Sequence, residues 1–271
     1  MKKQDIKTNL HTHTTFCDGK STPEEIVLAA LEKGFTSLGF SGHGTTPFDL
    51  SYCVRDMEGY IAEVSRVREK YKRDIRIWLG VEEDSWAPVD RSRFDYIIGS
   101  SHYLRIGEDW RHADHTAESL RQAVEAFGGD TLALAGSYYS AFCDYIEARR
   151  PDIIGHFDLL TKFDEQEHPL FLGDPAYMEL ARGFIRRAAQ SGCVFEVNTG
   201  AMARGLRTSP YPCDELLYEL KKCDARLILS SDSHSADTLD FAFEEVREML
   251  MDIGLVKLVT LTDNGFVEYA I

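Results

Sequence analysis

Seven short, mostly β-branched or aromatic apolar runs recur along the chain: Ile6–Leu10, Ser37–Phe40, Ile75–Leu79, Tyr96–Ile98, Ile153–Ile154, Val194–Val197 and Leu227–Leu229. Helical periodicity fills the stretches between them. Such alternation points to a parallel sheet, because parallel neighbours need crossovers of a dozen or more residues and helices supply them. With 271 residues and 44% hydrophobic content the chain can bury a full core. The expected fold is α/β, a closed or distorted (β/α) TIM-like barrel, with residues 1–271 forming a single domain. In such a barrel the functional face lies at the C-terminal ends of the strands.

Helix boundaries support this order of elements. Thr22-Pro23-Glu24-Glu25 combines an N-cap hydroxyl, proline at the first helical position and glutamate at the capping-box position, with Gly34 as the stop. Similar signals start helices at Asp174-Pro175 and near Asp237, and amphipathic periodicity predicts helices around 57–72, 117–127, 131–149 and 240–252. The stretch from His102 to His156 is long for one crossover, and its Trp110, Arg111, His112, Tyr138 and Tyr139 suggest a lid or specificity insert. Asp263-Asn264-Gly265 between β-rich runs reads as a hairpin that seals one barrel end.

Composition narrows the function classes. A net charge of −15 argues against an extended nucleic-acid or anionic-membrane partner, since both require a positive field. The six cysteines form no C-x-x-C pair, so reduced thiols in the cytoplasm are expected rather than disulfides or a structural zinc knuckle. The opening Met1-Lys2-Lys3-Gln4-Asp5 leads into no apolar segment, and no apolar run reaches membrane-spanning length. An unexported, membrane-free protein is the expectation. The sequence assigns no oligomeric state.

Nearly every apolar run is followed by a side chain of metal-ligand type. His11-Thr12-His13 opens the series, Asp18 follows, and His43, Glu82, His102, His156, Asp232 and His234 stand at later strand ends. Alternate residues of a strand point to one side, so the imidazoles of His11 and His13 can converge. Histidine nitrogens with carboxylate oxygens suit zinc, manganese or iron, and the lack of thiolates argues against a purely structural zinc site. Asp18-Gly19 by itself is equally a turn signal.

These motifs resemble the PHP (polymerase and histidinol phosphatase) family, specifically its monofunctional histidinol-phosphate phosphatases. The resemblance spans His11 to Gly19, Gly80-Val81-Glu82, Ile98 to Tyr103, Ile154 to Leu159 and Ser231 to His234. It implies a distorted, seven-stranded barrel with up to three divalent metal ions. His11, His13, Glu82 and Asp232 would hold the first, Glu82, His102 and His156 the second with Glu82 bridging, and Asp18, His43 and His234 the third. Glu82, Asp232 and His234 are the side chains expected to act in catalysis. Full occupancy with neutral imidazoles and a bridging hydroxide leaves the site about +2, which reconciles an acidic protein with an anionic substrate.

The implied reaction is in-line attack of a metal-bridging hydroxide on L-histidinol phosphate, giving L-histidinol and phosphate in histidine biosynthesis. Glu196 to Gly200 leads into Arg204 and Arg207, a segment that resembles the family's phosphate-contacting region and otherwise reads as a solvated loop. At Thr161-Lys162 the resemblance implies an arginine, and Lys162 stands there as a point charge without a bidentate fork. Arg204, Arg207 and Lys162 are thus the candidate substrate contacts. The cationic half of the substrate needs acidic or aromatic neighbours, for which Glu83, Asp84, Trp86, Asp158 and Tyr103 stand close in sequence, as substrate contacts or as support for the ligands. His112, His115 and His168 read as surface or lid residues, and Cys17 as packing. Two other readings are a phosphoesterase of the same superfamily acting on another small phosphomonoester or nucleotide, and a non-catalytic metal-stabilised binding module.

Overall fold

The computed structural model describes residues 6–166 and 168–271. The opening segment read above for export signals, residues 1–5, lies outside them. Seven strands form one parallel sheet: β1 (Thr8–Asn9), β2 (Ser37–Phe40), β3 (Arg76–Asp84), β4 (Tyr96–Ser100), β7 (Ile153–Ile154), β8 (Val194–Asn198) and β9 (Leu227–Ser230), adjacent in that order. Two antiparallel hairpins stand apart from it, β5 (Tyr103–Ile106) with β6 (Asp109–His112), and β10 (Lys257–Thr262) with β11 (Gly265–Ala270).

The sheet curls almost shut. Where β1 and β9 meet, His13 N donates to Ser233 O (2.8 Å) and Ser233 N to His11 O (3.1 Å), one parallel bridge that brings the two ends together above the core. Asn9 Nδ2 adds a 2.6 Å bond to Ser231 Oγ. Two of the strands are only two residues long, so the barrel is distorted as expected.

The barrel interior is a small apolar plug of Leu10, Trp78, Tyr96, Ile98, Ile153, Val194, Ile228 and Val259. Tyr96 dominates it, and two glycines make its place. A Cβ at Gly39 would lie 2.3 Å from the Tyr96 hydroxyl, and one at Gly80 only 2.2 Å from its ring. Val259 enters from β10, so the C-terminal hairpin caps the bottom of the barrel, with Gly265 taking the left-handed turn position at φ 89°.

A larger apolar layer lies between the sheet and the helices α1 (Pro23–Glu32), α2 (Met57–Tyr71), α3 (Ala117–Ala126), α4 (Thr131–Arg149), α5 (Pro175–Ala189), α6 (Gly200–Ala203), α7 (Asp214–Lys222) and α8 (Phe243–Ile253). Each fully buried Val, Leu, Ile or Phe in that layer contributes about 1.5–3 kcal/mol. The capping box of α1 forms as read, with Glu25 N donating to Thr22 Oγ1 and Thr22 N to Glu25 Oε2. None of the described helices is long and apolar enough to cross a membrane.

Two expectations need correction. The signal near Asp237 produces only a 3-10 turn, Ala236–Thr238, because Ala242 then takes a left-handed conformation (φ 57°) and α8 starts at Phe243. Tyr138 and Tyr139 belong to the core rather than to a lid. They lie on the buried face of α4, where Tyr138 donates to Ser101 O (2.9 Å) and Tyr139 meets the Tyr177 hydroxyl (2.7 Å).

Candidate metal centre and active site

All nine side chains read from strand ends meet at one mouth of the barrel. His11 and His13 leave β1 on the same side and are fully buried, while Thr12 between them turns outward to bond Gly39 O. Glu82 lies within β3, which runs five residues past the apolar stretch seen in the sequence. His43, His102, His156 and Asp232 stand two or three residues beyond their strands. Asp232 has φ 46°, a left-handed conformation that costs a non-glycine residue about 1–2 kcal/mol. Gly200 makes room for it, since a Cβ there would lie 2.8 Å from the Asp232 carboxylate.

Glu82 is the centre of the cluster. Its Oε1 faces His156 Nε2 (3.0 Å) and His102 Nε2 (3.4 Å), and its Oε2 faces His43 Nδ1 (2.9 Å), His11 Nε2 (3.3 Å) and His13 Nε2 (3.5 Å). Asp232 Oδ1 approaches His13 Nε2 (3.2 Å) and His11 Nε2 (3.5 Å). At the outer edge Asp18 faces His234 Nε2 (3.2 Å), His43 Nε2 (3.6 Å) and His13 Nδ1 (3.7 Å). Four overlapping sets of donor atoms lie within 4.8 Å: His11, His13 and Asp232; His11, Glu82 and His156; His43, Glu82 and His102; and His13, Asp18, His43 and His234. His43 therefore belongs as much with Glu82 and His102 as with the outer set in which the sequence placed it.

The electrostatics are those of tightly coupled, desolvated groups. Burial alone would depress His11, but Glu196, Glu82 and Asp232 outweigh it and hold its ring well above the usual histidine range. For His13 the balance goes the other way: burial, with His234 and His43 beside it, outweighs Asp232 and Asp18 and lowers it to about 3. Burial would raise Glu82 and Asp232, yet the surrounding imidazoles, with Arg204 beside Asp232, hold both carboxyls well below their usual range. Buried His11 Nε2, His13 Nε2 and Glu82 Oε2 have no hydrogen-bond partner. Orphaned buried atoms of this kind, converging from several strands, are the signature of an ion-binding set.

Supporting carboxylates surround the cluster. Glu196, inside β8, meets His11 Nδ1 at 2.6 Å, accepts from His156 N (3.0 Å) and takes a third bond from Asn198 Nδ2 (2.9 Å). Sequence reading placed Glu196 only in a phosphate-contacting segment. The overlooked signal was an acid within an otherwise buried strand. Asp84 accepts from His102 N (3.0 Å) and lies 3.4 Å from its Nδ1. Glu83 is held by Arg149 and Tyr145, and Asp158 accepts from Cys213 N. Of the five neighbours proposed for the cationic half of the substrate, only Tyr103 lines the cavity.

That cavity, about 560 Å³, opens over the cluster. Its cationic wall is Lys20, Lys162 and Arg204, and its rim includes Tyr52, Tyr103, His112 and His115 from the two loops that meet above it. Phe48 stacks on Trp110 (4.2 Å), and Asp49 joins His112 Nε2 (3.2 Å) to the Tyr103 hydroxyl (2.9 Å), pinning the β5–β6 hairpin over the mouth. His112 and His115 thus face the cavity, while His168 is exposed outside it. Arg204 reaches Asp232 Oδ2 (3.1 Å) from the cavity wall. Arg207 points elsewhere: it is buried against Thr161 Oγ1, Ser209 Oγ and the Tyr211 ring, 4.0 Å from Asp158. Cys17 lies 3.6 Å from His13 Nδ1, and burial with Asp18 nearby raises its thiol to about 11, which leaves it protonated at neutral pH.

A family model described as the PHP domain matches residues 9–200. The chain is 26% identical to a probable histidinol-phosphatase of Schizosaccharomyces pombe, over 92% of this chain and 87% of that protein. It is 25% identical to the histidinol-phosphatase of Bacillus subtilis, over 89% of this chain and 98% of that one. Among solved structures, histidinol phosphate phosphatase of Lactococcus lactis, complexed with zinc, L-histidinol and phosphate, aligns with a TM-score of 0.70 at 19% identity, covering 96% of this chain and 98% of that chain. At this identity the structural likeness speaks to the fold.

Proposed function

Because the chain belongs to the PHP domain family, we propose that it is a divalent-metal-dependent phosphomonoesterase that hydrolyses L-histidinol phosphate to L-histidinol and phosphate. The observation that carries this reading is Glu82. Its two oxygens face different imidazole groups within one cavity, and several of the surrounding donor atoms are buried without partners. Likeness along nearly the whole chain to curated histidinol-phosphatases supports the substrate.

The residues fit the ions. His11, His13 and Asp232 would hold one and Asp18, His43 and His234 another, while Glu82, whose Oε1 faces both His102 and His156, would hold a further one with them. Zinc, manganese and iron are all compatible with such donors. When bound, divalent ions supply Lewis-acid stabilisation of phosphoryl oxygens and bring water to a reactive pKa. The protein's own share is orientation: Glu196 and Asp84 fix the rings of His11 and His102, and Arg204 presents its guanidinium to the cavity beside Asp232. The Phe48–Trp110 stack and the Asp49 bonds hold the β5–β6 hairpin that walls one side of the cavity.

The test is metal depletion. Chelated protein should release no phosphate from L-histidinol phosphate, and added manganese or zinc should restore turnover with two to three equivalents bound. Undiminished turnover in fully metal-free protein would refute the reading. We further propose that it works as a biosynthetic phosphatase on a small phosphorylated substrate, in the cytoplasm.

A further inference from the structure

A site that gathers positive charge to meet a phosphate dianion repels an ammonium group. The proposed substrate carries both, separated by only the ester oxygen and two carbons. Some carboxylate on the cavity wall has to offset that repulsion. Among the described residues, four acids line the cavity, Asp18, Glu82, Asp114 and Asp232, and three of them belong to the metal cluster. Asp114 alone is left.

Asp114 follows the β5–β6 hairpin, on the loop whose neighbour Ala113 is tied back by its N–H to His102 O (2.8 Å). Its Oδ2 accepts from Lys162 Nζ at 2.8 Å, and the same ammonium also binds its backbone carbonyl at 2.8 Å. Both side chains are largely sheltered, at 15% and 19% exposure, yet both line the cavity. Burial would raise the Asp114 carboxyl, but Lys162 and His102 outweigh it and keep it ionised. The protein therefore presents a preformed cation–anion pair beside the cluster, the complement of a molecule with an anion and a cation close together.

Resting on the reading that the substrate is histidinol phosphate, we propose that Asp114 is its ammonium-binding residue and Lys162 the placeholder. Lys162 turns to the arriving phosphate, and the substrate ammonium replaces it on Asp114. An ester without the amine would draw Lys162 away and leave Asp114 partnerless beside a dianion, an outcome that sheltered carboxylates penalise heavily. Selection for an amine next to the ester follows from this exchange. Asp49 and Asp84, the other acids nearby, are already bonded to Ser51, Tyr103 and His112, and to Trp86 and His102, and neither lines the cavity.

The experiment uses the manganese-loaded enzyme with L-histidinol phosphate, the imidazolylpropyl phosphate lacking only the amine, and nucleotide monophosphates. The wild type should favour the amine-bearing ester by at least about tenfold in kcat/KM. That ratio should collapse toward one in Asp114→Asn and persist in Asp114→Glu, with metal content and melting temperature monitored in both variants. A wild type that treats the two imidazole esters alike overturns the proposal, as does an Asp114→Asn enzyme that loses both activities equally. In either case preference for these esters over nucleotides leaves the phosphatase reading intact. A wild type that prefers nucleotides defeats that reading itself.

Discussion

His11 Nδ1 lies 2.6 Å from Glu196 Oε1, and no solvent reaches either side chain. That bond fixes which face His11 turns toward the cluster: Nδ1 is engaged behind, so Nε2 points at Glu82 and Asp232. Glu196→Gln should keep the shape and lose the charge. The expected result is a 10- to 100-fold loss of metal affinity, with turnover recovering at high metal concentration. Titration of metal-free protein, read by metal analysis and phosphate release, checks both.

Glu82→Ala should cost more than one equivalent of metal, because its two oxygens face different sets of imidazoles. His156→Ala touches one side only and should lose fewer. Elemental analysis of the purified variants separates the two outcomes, and equal losses would argue against Glu82 as a bridge.

The two arginines should behave in opposite ways. Arg204→Ala is expected to leave metal bound and the fold intact while lowering kcat/KM at least about tenfold, since a charge-assisted contact to phosphate is removed. Arg207→Ala strands Asp158 in the interior and should destabilise by roughly 3–5 kcal/mol. Thermal unfolding and steady-state kinetics on both variants test the assignment.

Acidity should act on stability and on metal affinity with different signs. In metal-free protein the raised pKa of His11 and His102 gives stabilisation that is complete below the unfolded value of 6.5 and is lost as pH rises through the elevated folded value. The depressed Glu82 gives stabilisation present above its unfolded value of 4.5 and lost only in stronger acid. Metal affinity should climb over the alkaline interval in which the metal-free protein weakens, because the ions displace the histidine protons. Melting curves with chelator and metal titrations across the same pH series would show the divergence.

Much of the site was legible because its ligands follow strands that are themselves legible. A histidine or acid immediately after Phe40-Ser41-Gly42 or Ser100-Ser101 can be located without knowing how distant strands pair. Glu196 was read for its place in a motif and not for its partner, because its bond to His11 spans 185 residues and depends on barrel closure. Asp114 was missed for a similar reason. It faces Lys162 only because the β5–β6 hairpin folds back over the mouth, and no local periodicity announces that hairpin. Arg204 and Arg207 are three residues apart at the end of a four-residue helix, so sequence spacing could not decide which one faces the cavity.

The most direct measurement is phosphate release by manganese- or zinc-reconstituted protein, comparing kcat/KM for L-histidinol phosphate with that for nucleotide monophosphates and simple sugar phosphates. A strong preference for L-histidinol phosphate is the expected result. Comparable or better turnover of another ester would retain the metal cluster and its chemistry but contradict the substrate.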